Sequence, residues 1–156
     1  MNILKAIASV LICQAAGFVG SFFTTPAIPG WYAGLDKPSF TPPNAVFAPV
    51  WTILYLLMGI ALFLVWRTGF GDERIRRGMA IFGVQLALNV GWSIAFFGFR
   101  SPLAGLVVIV VLWAAIFLTM LDFFRISRIA GILLIPYIAW VSYAALLNIF
   151  LYTLNR

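Results

Sequence analysis

Residues 78–121 read GMAIFGVQLALNVGWSIAFFGFRSPLAGLVVIVVLWAAIFLTML, and the only charged side chain in them is Arg100. A helix needs about 20 predominantly apolar residues to cross the hydrocarbon of a bilayer. This stretch is therefore two spans, Gly78–Phe99 and Pro102–Leu121, hinged at one arginine. Pro102 falls at the first turn of the second, where its missing N–H costs nothing. Working outward, charges partition the rest of the chain in the same way. Lys37 and Arg67 bracket a third apolar run, with a span over 46–66. Arg128 precedes another over 129–152. Near the N-terminus, 6–25 is long enough to cross, and Pro26, Pro29 and Gly30 are expected to end it. Lys5 before an apolar run also resembles a signal peptide, but the run is longer than a signal core and no convincing small-residue cleavage site follows, so it is read as a retained span.

The expected fold is thus all-α: one domain, residues 1–156, of five transmembrane helices. Composition agrees. The chain is 64% hydrophobic and only 9% charged, with a mean hydropathy of +1.09, too few charges to clothe a soluble domain. The net charge of +6 fits basic flanks of membrane helices; no basic stripe or nucleic-acid motif accompanies it, and no nucleic-acid partner is expected. Lys5, Arg67, Arg74, Arg76, Arg77, Arg125 and Arg128 fall on one side, and Lys37, Arg100 and Arg156 on the other. The positive-inside rule then predicts a cytoplasmic N-terminus.

The connection 26–45 is long and unlike a linker. It holds Trp31, Tyr32 and Phe40 together with Pro26, Pro29, Pro38, Pro42 and Pro43. Prolines lower the entropy lost on ordering, and aromatics need a surface to bury against. It is read as a structured lid over one end of the bundle, in preference to an aromatic belt at the headgroups. Three helical faces gather rings and amides: Phe47, Trp51, Tyr55 and Met58; Gln85, Asn89, Trp92 and Phe96; Tyr137, Trp140, Ala144 and Asn148. Amides facing lipid would leave hydrogen bonds unmade, so these faces point inward. Convergent rings with a few polar groups describe a ligand pocket; the same amides also serve as glue between membrane helices, and both uses stay open. Gly83, Ala87 and Gly91 form a small-residue stripe on the opposite side of their helix, suited to close contact with another helix or a second subunit. Pro136 should kink the last span.

The chemical inventory excludes more than it admits. Histidine is absent and Cys13 is the only cysteine, so no metal site and no histidine-based catalytic pair is expected. Asp36, Asp72, Glu73 and Asp122 all fall near span ends, away from mid-membrane, which argues against ion-coupled transport.

Trp31-Tyr32, Leu35-Asp36-Lys37-Pro38, Thr41-Pro42-Pro43, Phe47, Trp51-Thr52, Leu54-Tyr55, Met58-Gly59, Gln85-Leu86, Leu88-Asn89, Trp92-Ser93, Phe96-Phe97-Gly98, Pro102, Pro136-Tyr137, Trp140, Ala144 and Leu147-Asn148, in that order, resemble the TspO/MBR family, the tryptophan-rich sensory and translocator proteins, also called peripheral-type benzodiazepine receptors. The first and fourth spans match only in length and polarity. The resemblance implies a five-helix bundle, commonly a homodimer, here with Gly83, Ala87 and Gly91 as the candidate interface. It implies a pocket under the lid for porphyrins and other flat hydrophobic ligands, with no cofactor required. The family's binding positions carry over to Tyr32, Pro42, Phe47, Trp51, Asn89, Trp92, Tyr137, Trp140 and Ala144. Some bacterial members are reported to degrade protoporphyrin IX in light, and the tryptophans implicated correspond to Trp51 and Trp140. A carrier role for porphyrin or lipid is a further alternative. Leu147, Tyr152 and Arg156 satisfy the family's loose sterol pattern, which is weak as a motif. The short C-terminus suits a prokaryotic-type member in a cell membrane.

Overall fold

The computed structural model describes Met1–Arg156 and contains helices and turns only. Five helical rods are long and apolar enough to cross a membrane: Asn2–Tyr32, Asn44–Trp66, Glu73–Gly98, Pro102–Ile126 and Arg128–Leu154. They comprise α1 (Asn2–Ala27), α2 (Asn44–Trp66), α3 (Glu73–Ser93), α4 (Pro102–Ile126), α5 (Arg128–Leu133) and α6 (Ile135–Leu154). Wide i→i+5 turns extend α1 over Ile28–Tyr32 and α3 over Ile94–Gly98.

Around the bundle α1 lies between α2 and α3, α4 lies between α3 and the α5–α6 rod, and that rod returns to α2. The distribution of side chains is the reverse of a soluble protein's. Phe18, Phe22, Val107, Val110 and Leu118 face outward, whereas Ser9, Gln85, Asn89, Thr119, Asp122 and Asn148 are buried. Lipid solvates the former at no cost, and all of the latter but Ser9, whose hydroxyl has no partner, hydrogen-bond inside.

The ends of the rods follow local chemistry. Asp72 caps α3 by accepting from Arg74 N–H at 2.8 Å. Ser101 caps α4 through Ala104 N–H at 3.1 Å, as short polar side chains do for orphan donors. Arg100 takes a positive φ of 53°, the left-handed residue that reverses the chain between α3 and α4. Besides the first rod, two run clearly longer than the sequence suggests. α3 starts before Gly78 because Asp72 caps a charged first turn. α4 continues past Leu121 because Asp122, almost fully buried, takes two hydrogen bonds from Arg77, 3.0 Å from Nε and 2.5 Å from a terminal nitrogen. Just before Pro136 the last span is interrupted at Leu134. Leu133 ends α5, α6 starts at Ile135, and Leu134 N–H bonds back to Gly131 C=O at 3.1 Å in a tightened turn.

One expectation is corrected. Pro26, Pro29 and Gly30 do not end the first span, which stays helical to Tyr32. Pro26 forfeits one hydrogen bond to an exposed part of the helix. Pro29 falls in the first turn of the wide segment, where a missing N–H is tolerated. The widened turn closes with Ala33 N–H on Ile28 C=O at 3.1 Å.

Candidate functional site

The non-helical part of the 26–45 connection is held at one end of the bundle by specific contacts. Asp36 N–H donates to Asn155 Oδ1 at 2.9 Å, and Asn155 Nδ2 donates back to Asp36 C=O at 2.8 Å. The Tyr143 hydroxyl donates to the Phe40 carbonyl, and the Phe40 ring packs edge-on against Phe150, 5.3 Å between centroids. Lys37 Nζ sits 4.7 Å from the Tyr32 ring centroid, a cation–π contact. The segment is thus docked on α6. Beneath it Tyr32 is buried between Phe47 and Phe97, at 6.4 and 5.7 Å, while Trp31 meets Phe96 edge-on at 5.3 Å.

A cavity of about 400 Å³ lies beside this cluster, among α1, α2 and α3, a size usual for small-molecule sites. Its wall combines rings (Phe18, Phe47, Trp51, Tyr55, Trp92, Phe97) with small or polar residues, most of them from α1, and no charged side chain reaches it. Trp51 and Tyr55 lie 5.6 Å apart, their planes inclined by 32°. Trp92 stacks on Phe96 at 5.2 Å.

Of the nine predicted binding residues, Phe47, Trp51, Asn89 and Trp92 line this cavity; Tyr32, Pro42, Tyr137, Trp140 and Ala144 do not. Tyr32 belongs to the roof cluster. Tyr137 sits one layer behind the wall and touches it through Asn89. Trp140 is separated from the cavity by Phe47, 6.3 Å away, and packs on Tyr143. Of the two tryptophans implicated in photochemistry, only Trp51 reaches the cavity.

The amides are heavily committed. The Tyr55 hydroxyl donates to Asn89 Oδ1 at 2.6 Å, and Asn89 Nδ2 donates to the Tyr137 hydroxyl at 2.7 Å. That hydroxyl donates to Gln85 Oε1 at 2.7 Å. Trp92 Nε1–H donates to Asn148 Oδ1 at 3.1 Å, and Asn148 Nδ2 donates to Pro102 C=O at 2.7 Å. These chains tie α2, α3, α4 and α6 together, so for Gln85 and Asn148 the glue use prevails, and Asn89 serves both wall and glue. Gly83 and Gly91 have nothing within 4 Å of a Cβ position, so no helix of this chain covers the small-residue stripe.

Sequence reading missed the contribution of α1. Gln14, Gly17, Ser21, Thr24 and Ile28 line the cavity at spacings of three and four, one face of a helix. A lone amide followed by small residues in an apolar run was the available signal.

These features define a multi-pass helical membrane protein with an uncharged, ring-lined cavity and a first loop docked on its last helix. The chain belongs to the TspO/MBR family, whose match covers residues 9–153. It is 50% identical to Tryptophan-rich protein TspO of Archaeoglobus fulgidus, over 99% of both chains. It is 49% identical to the protein of the same name in Chlorobaculum tepidum, over 99% of this chain and 98% of that one. To the human Translocator protein it is 39% identical, over 84% of this chain and 78% of that one.

Proposed function

We propose that this protein is a membrane receptor or sensor that binds porphyrins and other flat, hydrophobic molecules in the α1–α2–α3 cavity. The observation that carries this is the wall itself: six rings around about 400 Å³, with no charge and no histidine. Such a wall favours a planar apolar guest through dispersion and stacking, without a protein ligand to a metal. Relatives named Tryptophan-rich sensory protein, in Cereibacter sphaeroides, and Translocator protein support a sensing or ligand-handling role. Titration with protoporphyrin IX tests it. Trp51 and Trp92 emission should be quenched saturably, and Trp51→Phe should remove part of the quenching and weaken binding. Absence of saturable quenching refutes the reading.

A second reading is light-driven porphyrin breakdown, favoured by Trp51 on the cavity wall, where an indole can donate an electron to an excited guest. It predicts light-dependent loss of the porphyrin Soret band that Trp51→Phe abolishes. Because Trp140 lies behind Phe47, Trp140→Phe should slow that loss less than Trp51→Phe. Equal rates in wild type and Trp51→Phe would remove it. The exposed stripe of Gly83, Ala87 and Gly91 is the proposed homodimer contact, and a prokaryotic cell membrane with a cytoplasmic N-terminus is the proposed setting.

A further inference from the structure

Helices α1 and α2 touch closely in one half of their length and part in the other. Near the N-terminal half of α1, a Cβ on Gly59 would lie 2.7 Å from Val10 Cα and 3.2 Å from the Ser9 carbonyl oxygen. At the crossing point, Gly17 rests on the Tyr55 ring, where a Cβ would meet Cε2 at 2.6 Å. Beside it Gln14 Nε2 donates to Thr52 C=O at 3.1 Å, the one hydrogen bond joining the two helices. Beyond that point the seam opens into the cavity.

Both sides of the seam line the cavity and are also exposed: Phe18 and Thr25 on α1, Asn44, Ala48 and Thr52 on α2. Residues 33–43 contribute nothing to the lining. The open side of the cavity is therefore the outer face of two membrane-spanning helices, and what lies against that face is lipid.

The chemistry along the seam has a direction. Toward the crossing, hydroxyls are turned back on their own helices: Ser21 on Phe18 C=O at 2.6 Å, Thr24 on Gly20 C=O at 3.2 Å, Thr52 on Ala48 C=O at 2.8 Å. With the Gln14 and Asn89 amides also engaged inside the protein, this leaves mainly methyl, methylene and ring surface for contact, the Ser93 hydroxyl on the inner wall being the exception. At the lid end, Asn44 and Thr25 use their side chains in no hydrogen bond within the protein. A wall whose deep polar groups are almost all engaged, with free polar groups at the rim, matches an amphiphile whose chain lies inward and whose ester region lies at the interface.

We propose that this slot binds one acyl chain of a membrane phospholipid from the leaflet on the lid side, with Asn44 and Thr25 at its ester carbonyls. A liquid hydrocarbon chain at an apolar opening gains dispersion contacts that water cannot replace. The proposal shares its walls with the porphyrin reading but does not depend on porphyrin binding.

The test uses the full-length protein in phosphatidylcholine vesicles whose chains carry mid-chain bromine, against unbrominated vesicles. Trp92, on the cavity wall, is the reporter, isolated as the difference between wild type and Trp92→Phe. Trp113, on the outside of α4 and 38% exposed, is the lipid-facing reference, isolated with Trp113→Phe. The expected result is a loss of Trp92 emission comparable to that of Trp113. Ala48→Phe, at an exposed position of the slot, should restore Trp92 emission and leave Trp113 quenched. If Trp92→Phe fails to fold, Trp51→Phe isolates a second wall reporter for the same comparison. Quenching of Trp113 with none at Trp92 or Trp51 overturns the proposal, as does quenching at the wall that Ala48→Phe leaves unchanged. Wall quenching without saturable porphyrin binding supports the acyl chain and refutes the porphyrin reading; the reverse pattern refutes the acyl chain alone.

Discussion

Replacing Tyr137 by Phe deletes one oxygen from the centre of the bundle and separates the two uses of the interior amides. The hydroxyl accepts from Asn89 Nδ2 and donates to Gln85 Oε1, both at 2.7 Å. All three residues are at most 3% exposed, so no solvent replaces the lost partner. Hydrogen bonds between membrane helices contribute on average about 0.6 and at most about 1.7 kcal/mol each. A buried polar group left unpaired costs about 1–3 kcal/mol. These are two measures of the same loss, not terms to add; for two bonds the membrane figures span about 1.2 to 3.4 kcal/mol, and a total near 2 kcal/mol is expected. At about 2–4 °C per kcal/mol for a chain of this size, the melting temperature in detergent should fall by roughly 4–8 °C. The hydroxyl lies one layer behind the cavity wall, so porphyrin affinity measured in the same detergent should change by less than about twofold, under 0.5 kcal/mol. A melting temperature unchanged to within about a degree would refute the view that these amides bind helices together. So would a large loss of affinity at unchanged stability, which would place the hydroxyl on the ligand.

Gly59→Ala pushes a methyl group onto the Val10 backbone at 2.7 Å; overpacking of this kind costs about 1–3 kcal/mol, and thermal unfolding should show it. At Gly83, which is exposed, a Cβ would meet nothing within 4 Å, so Gly83→Leu should leave the monomer's fold intact and, if the stripe is a subunit contact, shift the protein from dimer to monomer in size-exclusion chromatography with light scattering. Asn155→Ala removes both hydrogen bonds to Asp36 and one to Leu151 C=O; amide hydrogen exchange should rise selectively over residues 33–43 while α3 and α4 stay protected.

The number and order of the spans, and the inward side of α3 and α6, were legible in the sequence, because charge and hydropathy act residue by residue and the bilayer punishes each exception separately. The ring-bearing faces could be read from helical periodicity for the same reason. Helix ends were less legible. Asp122 looked like the end of a span until the fold brought Arg77 to it from 45 positions away, and Pro29 looked like a stop until the widened turn absorbed it.

What the tertiary structure alone decided is which of several inward faces enclose space and which fill it. Tyr137 and Trp140 share a face with Asn148, yet packing between α2 and α6 closes that side, while the glycine-driven crossing of α1 and α2 opens another. Periodicity states that a residue points inward; only the tilt and spacing of neighbouring helices determine whether it meets a cavity or a side chain. That is why Gln14 and Ser21 belong to the cavity, and Trp140 stands behind it.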